Sequence, residues 1–125
     1  MILLDANYIL RFLLKDNNEM YTISKDCITN NNCIIPNEVL AEVVFVLLKV
    51  YKVTKNDITE ILVEFLNFKN ILMDSKYIII EALEIFSHKN LDFVDAILCA
   101  KSTEYEIKTF DKKLNRCIEI REYKS

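Results

Sequence analysis

The sequence predicts an α/β fold, a three-layer α/β/α sandwich around a short, mostly parallel central sheet of four to five strands, in one domain over residues 1–125. Three observations predict it. Short continuous apolar runs recur along the chain, helix-period stripes separate them, and no linker, repeat or low-complexity segment interrupts the alternation. With 52% hydrophobic and 28% charged residues in 125, the chain can fill one core without staples.

The apolar runs at residues 2–4, 33–35 and 71–73 lack the alternation of a half-exposed sheet, so they read as parallel strands covered on both faces. Runs at 107–110 and 117–120 read as the remaining strands. Between them, Met20, Ile23, Cys27 and Ile28 form one helical stripe, Ile58, Ile61, Leu62, Phe65 and Leu66 a second, and Ile79, Ala82, Leu83 and Phe86 a third. Thr54 with Asp57, and Asp92 with Asp95, have the spacing of helix N-caps. The chain contains no glycine, so left-handed positions are expected at Asn or Asp, and the Asn clusters at 17–18 and 30–32 mark breaks.

Composition also excludes functions. Without glycine there is no P-loop and no dinucleotide-binding fingerprint. A net charge of −3 and a pI near 5.2 give no global attraction to polyanions, so any nucleic-acid contact rests on a local basic patch. Cys27, Cys33, Cys99 and Cys117 lack Cys-x-x-Cys spacing and His88 is the only histidine, which argues against zinc and for reduced, buried thiols in a cytoplasmic protein. His88 reads as a solvated helix end, and serines 24, 75, 87 and 102 lack a nucleophile elbow. Neither an export signal nor a membrane span is expected.

Four carboxylates stand where apolar runs end or are interrupted: Asp5, Glu42, Asp95 and Asp111. An unpaired carboxylate beside apolar segments calls for a cation, a hydrogen bond or an exposed cleft, and one divalent metal would account for all four. Asp5 and Asp111 directly follow strands, and ligands of open parallel sheets bind outside the carboxyl ends of the strands. Each acid has a plainer explanation. Asp5 can cap the helix that follows, Asp92 and Asp95 can be an ordinary cap pair, and Asp111 can start a turn. Glu42, flanked by Val39, Val43, Phe45 and Val46 with no arginine one turn away, has the fewest alternatives and is expected to be a core-edge glutamate in need of a partner. Arg11, Lys15, Lys112, Lys113 and Arg116 could form a phosphate-binding rim or simply solvated faces.

The segments Asp5-Ala6-Asn7-Tyr8, Leu40-Ala41-Glu42-Val43, Asp92-Phe93-Val94-Asp95 and Thr109-Phe110-Asp111-Lys112 resemble, in order and spacing, the motifs of PIN-domain ribonucleases, especially VapC-like toxins of toxin–antitoxin pairs. The similarity covers nearly the whole chain, with gaps of 37, 53 and 16 residues between the acids. It implies that Asp5, Glu42, Asp95 and Asp111 hold Mg²⁺ or Mn²⁺, that Asn7, Asp92 and Thr109 support them, and that the chain is an endoribonuclease. It also implies a homodimer and an antitoxin whose segment covers the site, with apolar residues of the helices between 43 and 66 as groove candidates. One departure is visible: Glu104-Tyr105-Glu106 occupies a turn where such sequences usually carry glycine. Two other readings compete. One is a catalytically silent PIN-fold protein-binding domain, against which the four intact acids argue. The other is a receiver-like phosphoacceptor domain, which would want an acidic pair after the first strand, where Asp5 stands alone.

Overall fold

A computed structural model describes residues 1–124, with the side chains of residues 123 and 124 outside the description. It is α/β, but the sheet has three strands among the described residues, not four to five. The elements run β1 (Ile2–Leu3), α1 (Ala6–Leu14), α2 (Asn18–Asn30), β2 (Cys33–Ile34), α3 (Asn37–Lys49), α4 (Lys55–Leu66), β3 (Ile71–Leu72), α5 (Lys76–His88), α6 (Phe93–Lys101) and α7 (Lys112–Lys124). Two compact units emerge, Met1–Lys76 and Tyr77–Ser125.

The first unit contains the whole sheet. Its strands are parallel in the order β1-β2-β3, with Ile2 opposite Cys33 and Cys33 opposite Ile71. The bonds Leu4 N–H to Ile34 O (3.2 Å) and Ile35 N–H to Leu72 O (2.9 Å) carry the pairing one residue further, as the apolar runs predict. Leu3 is exposed, so the edge strand β1 is not covered on both faces. The α1 helix packs on α2 and α3, α3 on α4, and α4 on β3. Ile9, Ile28, Leu40, Leu47, Ile58, Leu62 and Phe65 are buried in this unit. The stripe expected on α2 is only half realised: Ile28 is buried, whereas Met20 and Ile23 face solvent.

The missing glycines are replaced in an unexpected way. Positive φ falls on Lys15 (54°) and Lys52 (56°), not on asparagine. Lys15 closes α1 in the left-handed region, its N–H donating to Arg11 O at 3.3 Å. The asparagines instead use their amides to close chain ends: Asn30 Nδ2 donates to Asp26 O (2.9 Å), Asn31 Nδ2 to Cys27 O (2.8 Å), and Asn70 Nδ2 to Asn31 O (2.9 Å) and Ile28 O. Their side chains supply the donors, so their backbones need no strained φ.

The second unit has no strand among the described residues. Residues 107–110, expected to be a strand, form an irregular connection in which the Thr109 carbonyl accepts from Asn115 Nδ2 and the Thr109 hydroxyl accepts from the Asp111 N–H. Residues 117–120, expected to be the last strand, lie inside α7. Leu114, Cys117 and Ile118 are all buried, an i, i+3, i+4 stripe that begins three residues before the run. A short apolar run read alone does not separate strand from helix. Cys99 and Cys117 are joined by a disulfide, contrary to the expectation of four reduced thiols; Cys27 and Cys33 are free. The two half-cystines share a small core with Leu91, Leu114 and Ile118.

Candidate metal-binding acids

Helix ends and helix faces place the four acids. In the first unit Asp5 is the N-cap of α1, where its Oδ1 accepts from the Tyr8 N–H at 2.8 Å. Asn7, one residue into the helix, is exposed beside it. Glu42 is exposed on α3, because the buried stripe runs through Leu40, Val43, Val44 and Leu47 and leaves position 42 off it. The expected core-edge glutamate is therefore a solvent-facing one; of the apolar neighbours that suggested otherwise only Val43 is buried, while Phe45, one turn on, is exposed with it. Arg11 is committed within its own unit: Nη1 donates to both Asp16 carboxylate oxygens at 3.0 and 2.8 Å, and Nη2 donates to the Tyr51 hydroxyl at 3.1 Å. The Lys15 ammonium lies 5.5 Å from the centre of the Tyr21 ring.

In the second unit, Asp92 is the N-cap of α6 and its Oδ1 accepts from the Asp95 N–H at 2.9 Å. Asp95 sits half-buried in the first turn of that helix. Burial is the main cause that raises its carboxyl above the ordinary carboxylate range, and the charges of Asp92 and then Asp111 add to it. Asp111 begins the next helix, its Oδ1 accepting from the Leu114 N–H at 2.9 Å. Its own N–H donates to Thr109 Oγ1 at 3.0 Å, and Asn115 Nδ2 donates to Thr109 O at 2.9 Å. Thr109 thus holds the Asp111 N–H through its hydroxyl and is itself tied down by Asn115.

The structure brings Asp92 and Asp111 each into electrostatic reach of Asp95 at the starts of two helices. Among the described residues no group of three or more His, Cys, Asp or Glu side chains is gathered tightly enough to hold an ion as it stands. The donor set nonetheless suits a hard divalent cation: every group is a carboxylate, and Asp92 and Asp111 each use only Oδ1 for capping. Among the described residues no lysine or arginine forms an ion pair with any of the three. A cation would offset both the burial and the neighbouring charges that raise Asp95.

Basic residues follow directly. Lys112, Lys113 and Arg116 are exposed on α7 and, with Asn115 and Glu119, line an open groove of about 430 Å³. Phe110, next to Asp111, is fully exposed. It was hidden in the sequence because residues 107–110 read as a strand; the available signal was an aromatic immediately before an acid and two lysines.

The model of the PIN domain family matches residues 2–118, a span that includes all four acids. The chain belongs to the PIN domain family. PIN domains are generally nucleases, so the chain carries a nuclease-type fold and is a hydrolase at that coarse level. No curated protein and no solved structure matches it. No helix among the described residues of this PIN domain is long and apolar enough to cross a membrane.

Proposed function

We propose that the chain is a Mg²⁺- or Mn²⁺-dependent endoribonuclease, the VapC-like toxin of a toxin–antitoxin pair, acting in the cytoplasm as a homodimer. The observation that carries this reading is the perturbed acid group at the starts of α6 and α7, set beside the cations of α7 in a PIN domain. The metal ligands are drawn from Asp5, Glu42, Asp95 and Asp111, with Asn7, Asp92 and Thr109 in support. A bound divalent ion would supply water activation and neutralisation of charge on the phosphoryl group. The chain's own residues do the rest. Lys112, Lys113 and Arg116 attract and align the phosphate backbone. Phe110 offers an uncovered ring on which an unpaired base can stack, which favours single-stranded RNA. Thr109, Asn115 and the Leu114 N–H keep Asp111 in place.

The antitoxin segment has a matching surface in the first unit. An apolar groove of about 430 Å³ is lined by Phe12 and Leu13 of α1, Tyr21 of α2, Ile61 and Phe65 of α4, and Phe68. Lys15 and Lys25 flank it together with Glu64, so the apolar face of an amphipathic segment fits its chemistry, with a slight preference for acids beside it.

Asp95→Asn preserves shape while removing ligand charge. With Mn²⁺ and a panel of structured RNAs, its cleavage rate is expected to fall at least about a hundredfold, since metal-assisted charge stabilisation is worth several kcal/mol. Cleavage at the wild-type rate would remove Asp95 from the machinery.

A further inference from the structure

The Cys99–Cys117 bond joins the two helices that carry the acid pair. Asp95 lies one helical turn before Cys99 on α6, and Asp111 starts α7 six residues before Cys117. Leu91, Leu114 and Ile118 are buried around the bond, and the covalent link adds to that packing in fixing α6 against α7. The two sulfurs differ in surroundings. Cys99 is 0% exposed and lines no cleft among those described, whereas Cys117, itself only 4% exposed, forms part of the wall of a cleft of about 190 Å³. Lys89, Lys113 and Arg116 ring that cleft, over Leu91 and Ile120. Cations around a disulfide favour the approach of a thiolate and stabilise negative charge as it spreads over the sulfurs.

We infer that Cys99–Cys117 is a reversible redox latch on the acid pair, opened at Cys117 by an anionic low-molecular-weight thiol that the cationic cleft attracts. The thiolate attacks Cys117 Sγ, forming a mixed disulfide and expelling Cys99 as a thiolate that takes a proton from solvent. A second thiol attacks the mixed disulfide, releasing Cys117 as a thiol and leaving the small thiol oxidised to its own disulfide. Two electrons pass from two thiols to one cystine. Closed, the latch ties α6 to α7 and limits how far Asp95 and Asp111 can part; open, it frees the two helix starts to separate and weakens any common grip on a cation. The regulatory half of this inference rests on the reading of these acids as metal ligands, whereas the exchange chemistry does not.

The test uses the full oxidised chain. It is exposed to glutathione, an anionic thiol, or to cysteamine, a cationic one, with each rate normalised to the same thiol's rate on a flexible cystine peptide. Adducts are located by mass spectrometry after rapid quench. Glutathione is expected to open the bond about tenfold faster than cysteamine, with the first adduct on Cys117. The Lys113→Gln/Arg116→Gln variant is expected to erase that preference. Equal rates, a first adduct on Cys99, or a preference that survives the double variant overturns the cleft's role. Mn²⁺ titration then compares the oxidised chain, the reduced chain and the Cys99→Ala/Cys117→Ala variant, which stays open. The oxidised chain is expected to bind about tenfold more tightly than either open form. Equal affinity in all three, with binding still lost in Asp95→Asn, overturns the latch while leaving the metal site standing. If no form binds Mn²⁺, the metal reading fails and the regulatory half falls with it, whereas the exchange result still decides the chemistry at Cys117.

Discussion

The two compact units solve the same problem by different means. Met1–Lys76 contains the entire sheet and its helices bury large aliphatic and aromatic side chains; its acids, Asp5 and Glu42, stand in solvent at a helix start and on a helix face. Tyr77–Ser125 has no strand among the described residues, buries Ile78, Ile79, Leu83, Phe86 and Phe93 on its helices, adds a disulfide to a small separate cluster, and sets Asp92 and Asp111 within electrostatic reach of Asp95 at two helix starts. The difference teaches where an acid site carries its cost. In the second unit Asp95 is half-buried, and burial first, then the charges of Asp92 and Asp111, disfavour its ionised form; Asp5 and Glu42 in the first unit stand exposed.

The contrast breaks most readily through the cores. Leu62→Ala, at a fully buried position of α4, is expected to cost about 2–5 kcal/mol, read by urea unfolding. Leu114→Ala in the small cluster of the second unit should sit at the low end, near about 2 kcal/mol, because a small core collapses more easily around a lost side chain. Equal penalties would deny that the two cores differ.

Helix caps sharpen the comparison at smaller energies. Thr54 Oγ1 accepts from the Asp57 N–H at 3.2 Å in the first unit, and Asp92 Oδ1 accepts from the Asp95 N–H at 2.9 Å in the second. Thr54→Ala is expected to cost about 1 kcal/mol. Asp92→Ala should cost clearly less in metal-free protein, because the lost cap is offset by relief of Asp95. Thermal unfolding of both variants in EDTA reads the difference, and a larger penalty for Asp92→Ala would contradict it.

The smallest expected effect is a pH dependence. Folding raises the Asp95 carboxyl above its ordinary value of 3.8, so the ionised form is the one the fold disfavours. In metal-free protein that penalty is absent below 3.8, grows as pH rises through the raised value, and is complete above it. Asp95→Asn should therefore be stabilising near neutral pH and neutral at pH 3. Parallel stability curves for variant and wild type from acid to neutral would remove the repulsion.

Much of this was legible in the sequence, for reasons that local chemistry explains. The runs at 2–4, 33–35 and 71–73 pair in parallel as expected, although Leu3 on the edge strand is exposed and not covered as the unalternating run implied. Both capping pairs form their bonds, since a cap is decided within four residues. The failures are equally local. Cys117 and Ile118 look like strand residues until Leu114 is counted with them as a helical stripe. Glu42 looks buried from its neighbours' chemistry, but its phase on α3 turns it outward. The disulfide was invisible, because Cys99 and Cys117 are 18 residues apart and only the packing of α6 on α7 joins them. The left-handed positions fell on Lys15 and Lys52, which residue preference alone did not single out.

The most direct measurement is anomalous diffraction from Mn²⁺-soaked crystals of the full chain, alongside Asp95→Asn crystals soaked identically. One strong Mn²⁺ peak is expected within about 2.5 Å of carboxylate oxygens of both Asp95 and Asp111, and it should vanish in the variant. A peak that bridges neither acid, or one that persists unchanged in Asp95→Asn, would contradict the claim that the acids at the starts of α6 and α7 hold the ion.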